Sequence, residues 1–146
     1  MERDELEGVT VITNGLTIAL ELERAIPRFD VVVTGGTLRP LQHSLVEPLA
    51  AVLLERLHAD LAFIGCTGVD PSGGITNVNL PEADLKRVMV GSAERAVVVA
   101  DGSKLGRTHL GRIAALDEVA ELITGESAPP ESVAALRKAG LPVVVA

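Results

Sequence analysis

Tryptophan and tyrosine are absent from this 146-residue chain, and Phe29 and Phe63 are its only phenylalanines. A base-stacking surface for single-stranded nucleic acid is all but excluded, because such surfaces are built on aromatic rings. Cysteine occurs once, as Cys66. That rules out an internal disulfide framework and a cysteine zinc site. Basic residues are outnumbered, 13 against 20 acidic, for a net charge of −7. No direct nucleic-acid partner is therefore expected for this chain alone. No apolar run approaches the ~18 residues of a membrane span. The opening MERDELEG is acidic and polar, unlike a secretory signal. A cytoplasmic chain with no membrane partner is the expectation.

Chemical signatures are scarce too. Neither GxSxG nor a G-x-x-x-x-G-K-[ST] phosphate loop occurs, which argues against a nucleophile elbow and a nucleotide triphosphatase. His43, His58 and His109 have no metal-ligand spacing, so no metal site is read. Nothing calls for a cofactor. Lysine is limited to Lys86, Lys104 and Lys138, which makes a lysine among glycines conspicuous.

What remains is a globular composition, 47% apolar and 23% charged. A chain of this length is expected to form one domain, residues 1–146, burying roughly two thirds of its unfolded surface. Strands are expected over 9–13, 31–33, 61–64, 97–100, 122–124 and 143–145, with a short edge strand over 112–115. Helical spacing covers 16–25, 48–57, 81–93 and 130–139, with Gly140 as a C-terminal stop. Residues 65–80 read as one long loop. The strands are nearly continuous Val, Ile and Leu, as in a parallel sheet covered on both faces. Helix-length segments between strands give βαβ units. The fold class is α/β: a three-layer α/β/α domain around a mostly parallel, Rossmann-like sheet. In such sheets ligands bind beyond the carboxyl ends of the strands.

Four loops follow strands. Thr13 and Asn14 can donate to an anion beside the next helix, or Asn14 can simply cap it. Gly35 and Gly36 can bring backbone N–H groups close to a ligand, with Arg39 as a further phosphate donor, or form a tight turn. Asp70 can accept from sugar hydroxyls or start the Asp-Pro-Ser-Gly turn. Asp101, Ser103 and Lys104 offer a carboxylate, a hydroxyl and an ammonium in one loop, which is otherwise a polar surface turn. On the helix after the long loop, Glu82 and Lys86 are four apart and can form a surface ion pair. Cys66 reads as a small, partly buried residue rather than a nucleophile.

In combination the loops are more specific. VTVITNGLTIALEL, VVVTGGTLRP, LVEPLA, ADLAFIGCTGVDPSGGITNVNLPEADLKRVMV, AVVVADGSKLGR and LITG follow one another in unbroken order. From about residue 6 to 125 the chain resembles the C-terminal effector-sensing domain of DeoR-type bacterial transcriptional regulators. Residues 126–146 read as an extra helix and strand. The resemblance implies the fold of ribose-5-phosphate isomerase and glucosamine-6-phosphate deaminase, a phosphorylated sugar or sugar metabolite as effector, and a homo-oligomer. By position it places Thr13, Asn14, Gly35, Gly36, Asp70, Glu82, Lys86 and Lys104 at the ligand, with Lys104 as the foremost phosphate contact. Members of the family also carry an N-terminal winged helix-turn-helix and begin the sensing domain with a strand and a phosphate-gripping turn. Neither is found in this sequence. The expectation is a chain lacking the first strand–helix unit, with an unpaired sheet edge and part of the phosphate site missing.

Two other readings are weighed against a sensor. A phosphosugar isomerase or deaminase needs a positioned carboxylate base and an oxyanion stabiliser, which Asp70, Glu82 or Asp84 with Lys86 or Lys104 can supply. The isomerase pattern, however, has a second acidic residue in its aspartate loop and a lysine before a glycine run. GVDPSGGITN has neither. An oligomerisation remnant without ligand is the third reading. The sensor is preferred.

Overall fold

The computed structural model describes residues 6–146. They form two compact units, whose boundary falls between Leu53 and Leu54.

The first unit opens with β1 (Val9–Thr13), a β-branched run that pairs in parallel with β2 (Phe29–Val33). Between them lie α1 (Leu16–Leu22) and a 3-10 turn over Glu23–Ala25. Together these fill the stretch expected to be helical. An antiparallel hairpin follows, β3 (Thr37–Arg39) with β4 (Ser44–Val46). It was not anticipated: three-residue strands with Leu38 52% exposed carry no alternation to read. The hairpin loop holds Leu41 and His43 at positive φ, 71° and 50°. Helix α2 (Leu49–Leu54) is shorter than expected and begins after Pro48. Burial here is sparse. α1 buries no residue, and among the described residues of this unit the buried apolar side chains are Val46, Ala50 and Ala51.

The second unit carries the larger core. Four strands form a wholly parallel sheet in the order β11-β10-β8-β5: β5 (Ala59–Gly65), β8 (Ala93–Val99), β10 (Glu121–Thr124) and β11 (Val143–Val145). This is an α/β fold with the parallel sheet expected from the apolar strands. One face presents Ile64, Val98, Leu122 and Val143, all buried. On the other, Phe63 is 65% exposed.

The long loop expected over 65–80 is largely ordered. β6 (Gly68–Asp70) and β7 (Gly74–Asn77) make a hairpin, and β7 pairs again with β9 (Gly111–Ala114). The edge strand anticipated over 112–115 is thus β9, in an antiparallel sheet of its own. Glycine and threonine hide these strands from a propensity reading. Tertiary bonds define them instead: Thr76 Oγ1 accepts from His109 N at 2.9 Å, and Gly106 N donates to Val69 O at 2.8 Å. Val69 and Ile75 are fully buried.

Helix α3 (Leu80–Ser92) runs straight into β8. Its N-terminus is closed by Asn79, whose side chain accepts from Glu82 N at 3.0 Å. Helix α4 (Pro130–Lys138) starts at the Pro129-Pro130 pair, with Arg137 and Lys138 in its last turn. It stops at Gly140, whose φ of 100° suits glycine. Val133 and Leu136 of α4 join Ile64, Val98, Leu122, Ile75 and Ile113 in the core cluster.

Candidate functional site

In the first unit, Thr13 and Thr34 close the carboxyl ends of β1 and β2, with Thr34 N donating to Thr13 O at 3.1 Å. Thr13–Asn14 and Gly35–Gly36 are therefore neighbours on one sheet edge, as the sequence suggests. Their polar groups serve the backbone. Thr13 Oγ1 accepts from Gly15 N at 3.0 Å, and Asn14 Nδ2 donates to Leu45 O at 2.9 Å. Asn14 fastens β1 to β4. It does not cap α1, whose N-cap is Gly15 without a side-chain bond. The two glycines differ. Gly36 has φ 124°, and an added Cβ would overlap the Val46 carbonyl oxygen. Gly35 has φ 70° with open space where a Cβ would stand.

In the second unit, a cluster stands at the carboxyl ends of β5 and β8. Cys66 follows β5 and is 9% exposed. Asp101 and Lys104 follow β8, on a 3-10 turn over Gly102–Lys104. Lys86 arrives from α3. Burial drives the Cys66 thiol from 9.0 to about 11, while the charges of Lys86 and Lys104 pull it down and Asp101 raises it slightly. Two lysines from different elements thus act on one buried, neutral thiol. Asp101 accepts from Ser103 N at 2.8 Å and from the Ser103 hydroxyl. Those bonds hold its carboxyl below the usual range, with Lys104 adding a smaller pull.

Lys86 is tightly placed. Its Nζ donates to Asn77 Oδ1 at 3.3 Å and lies 3.6 Å from Glu82 Oε2. The Lys86 and Glu82 side chains are 20% and 9% exposed, so the ion pair is largely buried rather than on the surface. Asn77 was missed in the sequence. It is 4% exposed and donates through Nδ2 to Asn79 O at 3.3 Å. Its signal was the Asn-x-Asn spacing ahead of Glu82, where the second asparagine caps the helix and the first is buried. Lys104 is half-buried and makes no ion pair with a described residue.

Asp70 sits in the β6–β7 turn. Its Oδ2 accepts from Ser72 N at 3.0 Å, from Ser72 Oγ at 3.0 Å and from Gly73 N at 2.8 Å. The Gly73 bond, with those of Ser72 and Thr108, sets its carboxyl below the usual value. That is the turn anticipated for Asp-Pro-Ser-Gly. A cavity of about 350 Å³ is lined by this turn, Arg112, Asp117 and Ala139. It flanks the segments entering β10 and β11. No group of three or more metal-binding side chains lies together among the described residues. No described helix is long and apolar enough to cross a membrane.

Comparison with known proteins follows this geometry. The DeoR C terminal sensor domain family matches residues 2–126. The chain is 38% identical, over 91% of its length, to the HTH-type transcriptional regulator GlpR of Haloferax volcanii, covering 51% of that protein. It is 34% identical over 97% of its length to the HTH-type transcriptional regulator GolR of Listeria innocua, covering 57%. It is 33% identical over 82% of its length to the L-fucose operon activator of Escherichia coli, covering 49%. The chain spans about half the length of the curated relatives it matches. With sheet, loop order and family match in agreement, the chain belongs to the DeoR C-terminal sensor domain family.

Proposed function

We propose that this chain is the effector-sensing part of a cytoplasmic transcriptional regulator, and that its effector is a phosphorylated sugar or sugar metabolite. The observation that carries the reading is the turn after β8, which sets Asp101 and Lys104 at the carboxyl edge of a parallel sheet. Ligands of open α/β sheets bind at that edge. The Lys104 ammonium there suits an anion, while Lys86 stands paired with Glu82. The relative named for the L-fucose operon is consistent with a small carbohydrate-derived effector.

Lys104 is the foremost phosphate contact. Glu82 and Lys86 contribute from α3. For the first unit by itself, the family resemblance points to Thr13, Asn14, Gly35 and Gly36 as ligand residues. Asp70 contributes by shaping its turn. DNA contact belongs to another part of the regulator, since this chain carries a net charge of −7. Self-association into a homo-oligomer is part of the same reading. An effector acts as a switch only by favouring one of two states through differential contacts.

The test is calorimetric titration with inorganic phosphate and a set of phosphosugars, on the wild type and Lys104→Ala. The wild type is expected to bind at least one phosphosugar, and Lys104→Ala to weaken it about tenfold, a charge-assisted bond's contribution. Unchanged affinity in a folded Lys104→Ala removes that residue from the site.

One observation speaks for an isomerase or deaminase: the buried Glu82 carboxylate beside the Lys86 ammonium, a pair able to move a proton. The relatives named above are regulators, which favours the sensor. Turnover of ribose 5-phosphate or glucosamine 6-phosphate above background reverses the preference.

A further inference from the structure

Lys86 and Lys104 are chemically unequal. An ammonium has three donors. For Lys86, one is given to Asn77 Oδ1 at 3.3 Å and a second faces Glu82 Oε2 at 3.6 Å. The third is left for a ligand. Glu82 also cancels the formal charge of Lys86, at a place where both side chains are largely withdrawn from water. A phosphate brought against this pair meets an ammonium and a buried carboxylate together, and the carboxylate repels it. A neutral oxygen, hydroxyl or carbonyl, meets no such penalty and can take the remaining N–H. Lys104 makes no ion pair with a described residue and pulls only weakly on Asp101, whose carboxylate is held by Ser103, so its positive charge is available to a dianion.

Asn77 fixes the unequal arrangement. Its amide is oriented by the bond from Nδ2 to Asn79 O at 3.3 Å, which turns Oδ1 toward Lys86. Its backbone is held in β7 opposite Gly111 of β9. Asn79 in turn caps α3 through Glu82 N. One short chain of bonds therefore sets the strand end, the helix start, the carboxylate and the ammonium.

We propose a division of labour: the Asn77–Lys86–Glu82 triad reads the neutral, hydroxyl- or carbonyl-bearing part of the ligand and determines which phosphosugar binds, Asn77 being the positioning residue, while Lys104 holds the phosphate. This rests on the phosphosugar-sensor reading. It predicts that affinity for bare phosphate and discrimination among phosphosugars are separable.

The experiment titrates the wild type, Asn77→Ala, Glu82→Gln and Lys104→Ala with inorganic phosphate, ribose 5-phosphate and fructose 1-phosphate. In the wild type the two phosphosugars are expected to bind unequally, and the better one more tightly than inorganic phosphate. Asn77→Ala keeps its affinity for inorganic phosphate and loses about tenfold for the better phosphosugar, as expected for one charge-assisted contact. Glu82→Gln keeps the side-chain shape and frees the charge of Lys86. It is expected to bind inorganic phosphate more tightly than the wild type while narrowing the gap between the two sugars, a gain that a damaged fold cannot give. Lys104→Ala weakens all three ligands in parallel. The proposal is overturned if Glu82→Gln keeps the wild-type affinities, or if Asn77→Ala loses inorganic phosphate and phosphosugar alike. If the wild type binds none of the three, the sensor reading itself has failed for these ligands and the division of labour falls with it. That result is seen before any variant is compared.

Discussion

At Cys66 burial opposes charge, and burial wins. The thiol stands at about 11 despite Lys86 and Lys104, because removing a thiolate from water costs more than two partly screened ammonium groups return. Two measurements follow. Native protein is expected to react slowly with iodoacetamide at pH 8, and unfolded protein at the ordinary thiol rate. The folded pKa lies above the unfolded one, so the contribution to stability is complete below pH 9 and is lost as pH rises toward 11. A shift from 9.0 to about 11 corresponds to about 3 kcal/mol across that window. Chemical denaturation at pH 8 and pH 10.5 checks it, with Cys66→Ala as reference: the variant shares the titration of the lysines but lacks this loss. Asp70 has the opposite sign. Its carboxyl is held below the usual range by the turn it closes, so its contribution is present above pH 4 and disappears as pH falls through the depressed value. Asp70→Ala is expected to cost about 1 kcal/mol at pH 7 through lost turn bonds, read by urea denaturation. A ligand-binding defect larger than that stability loss explains would give Asp70 a direct role at the ligand.

Among the elements, those that fill the core report on packing most clearly. Leu136 of α4 is fully buried, in one cluster with Leu122 and Val143 of the parallel sheet. Leu136→Ala is expected to destabilise the second unit by about 3 kcal/mol, seen as a lowered denaturation midpoint. A loss below about 1 kcal/mol would mean that α4 packs loosely. The parallel strands β5, β8, β10 and β11 were legible because unbroken Val, Ile and Leu runs announce buried parallel strands. α4 was legible from Pro130 and Gly140. The β3–β4 and β6–β7–β9 sheets were not. Their residues are glycine, threonine and short apolar triplets, and their pairing is fixed by contacts far along the chain, such as Thr76 with His109. The same cause hid Asn77: its burial comes from β9 and α3, not from its neighbours in sequence. Lys86 and Glu82 were seen as a helical pair, but not as a buried one. Asn14 was expected to cap a helix or meet an anion, and its amide goes to Leu45 instead.

For the whole molecule, the resemblance read from loop order and the family match over residues 2–126 agree, and the parallel sheet agrees with both. The central claim is that this chain binds a phosphorylated sugar and does not transform it. Thermal unfolding in the presence of a panel of phosphosugars, with each parent sugar and inorganic phosphate as controls, tests it most directly. Ligand at about 100 times its dissociation constant adds roughly 2.7 kcal/mol to the folded state, a readily visible rise in midpoint. The account predicts a selective rise with one phosphosugar, a smaller one with inorganic phosphate, none with the parent sugar, and unchanged ligand recovered afterwards. A parent sugar that stabilises as well as its phosphate, or recovery of an isomerised or deaminated product, would contradict it.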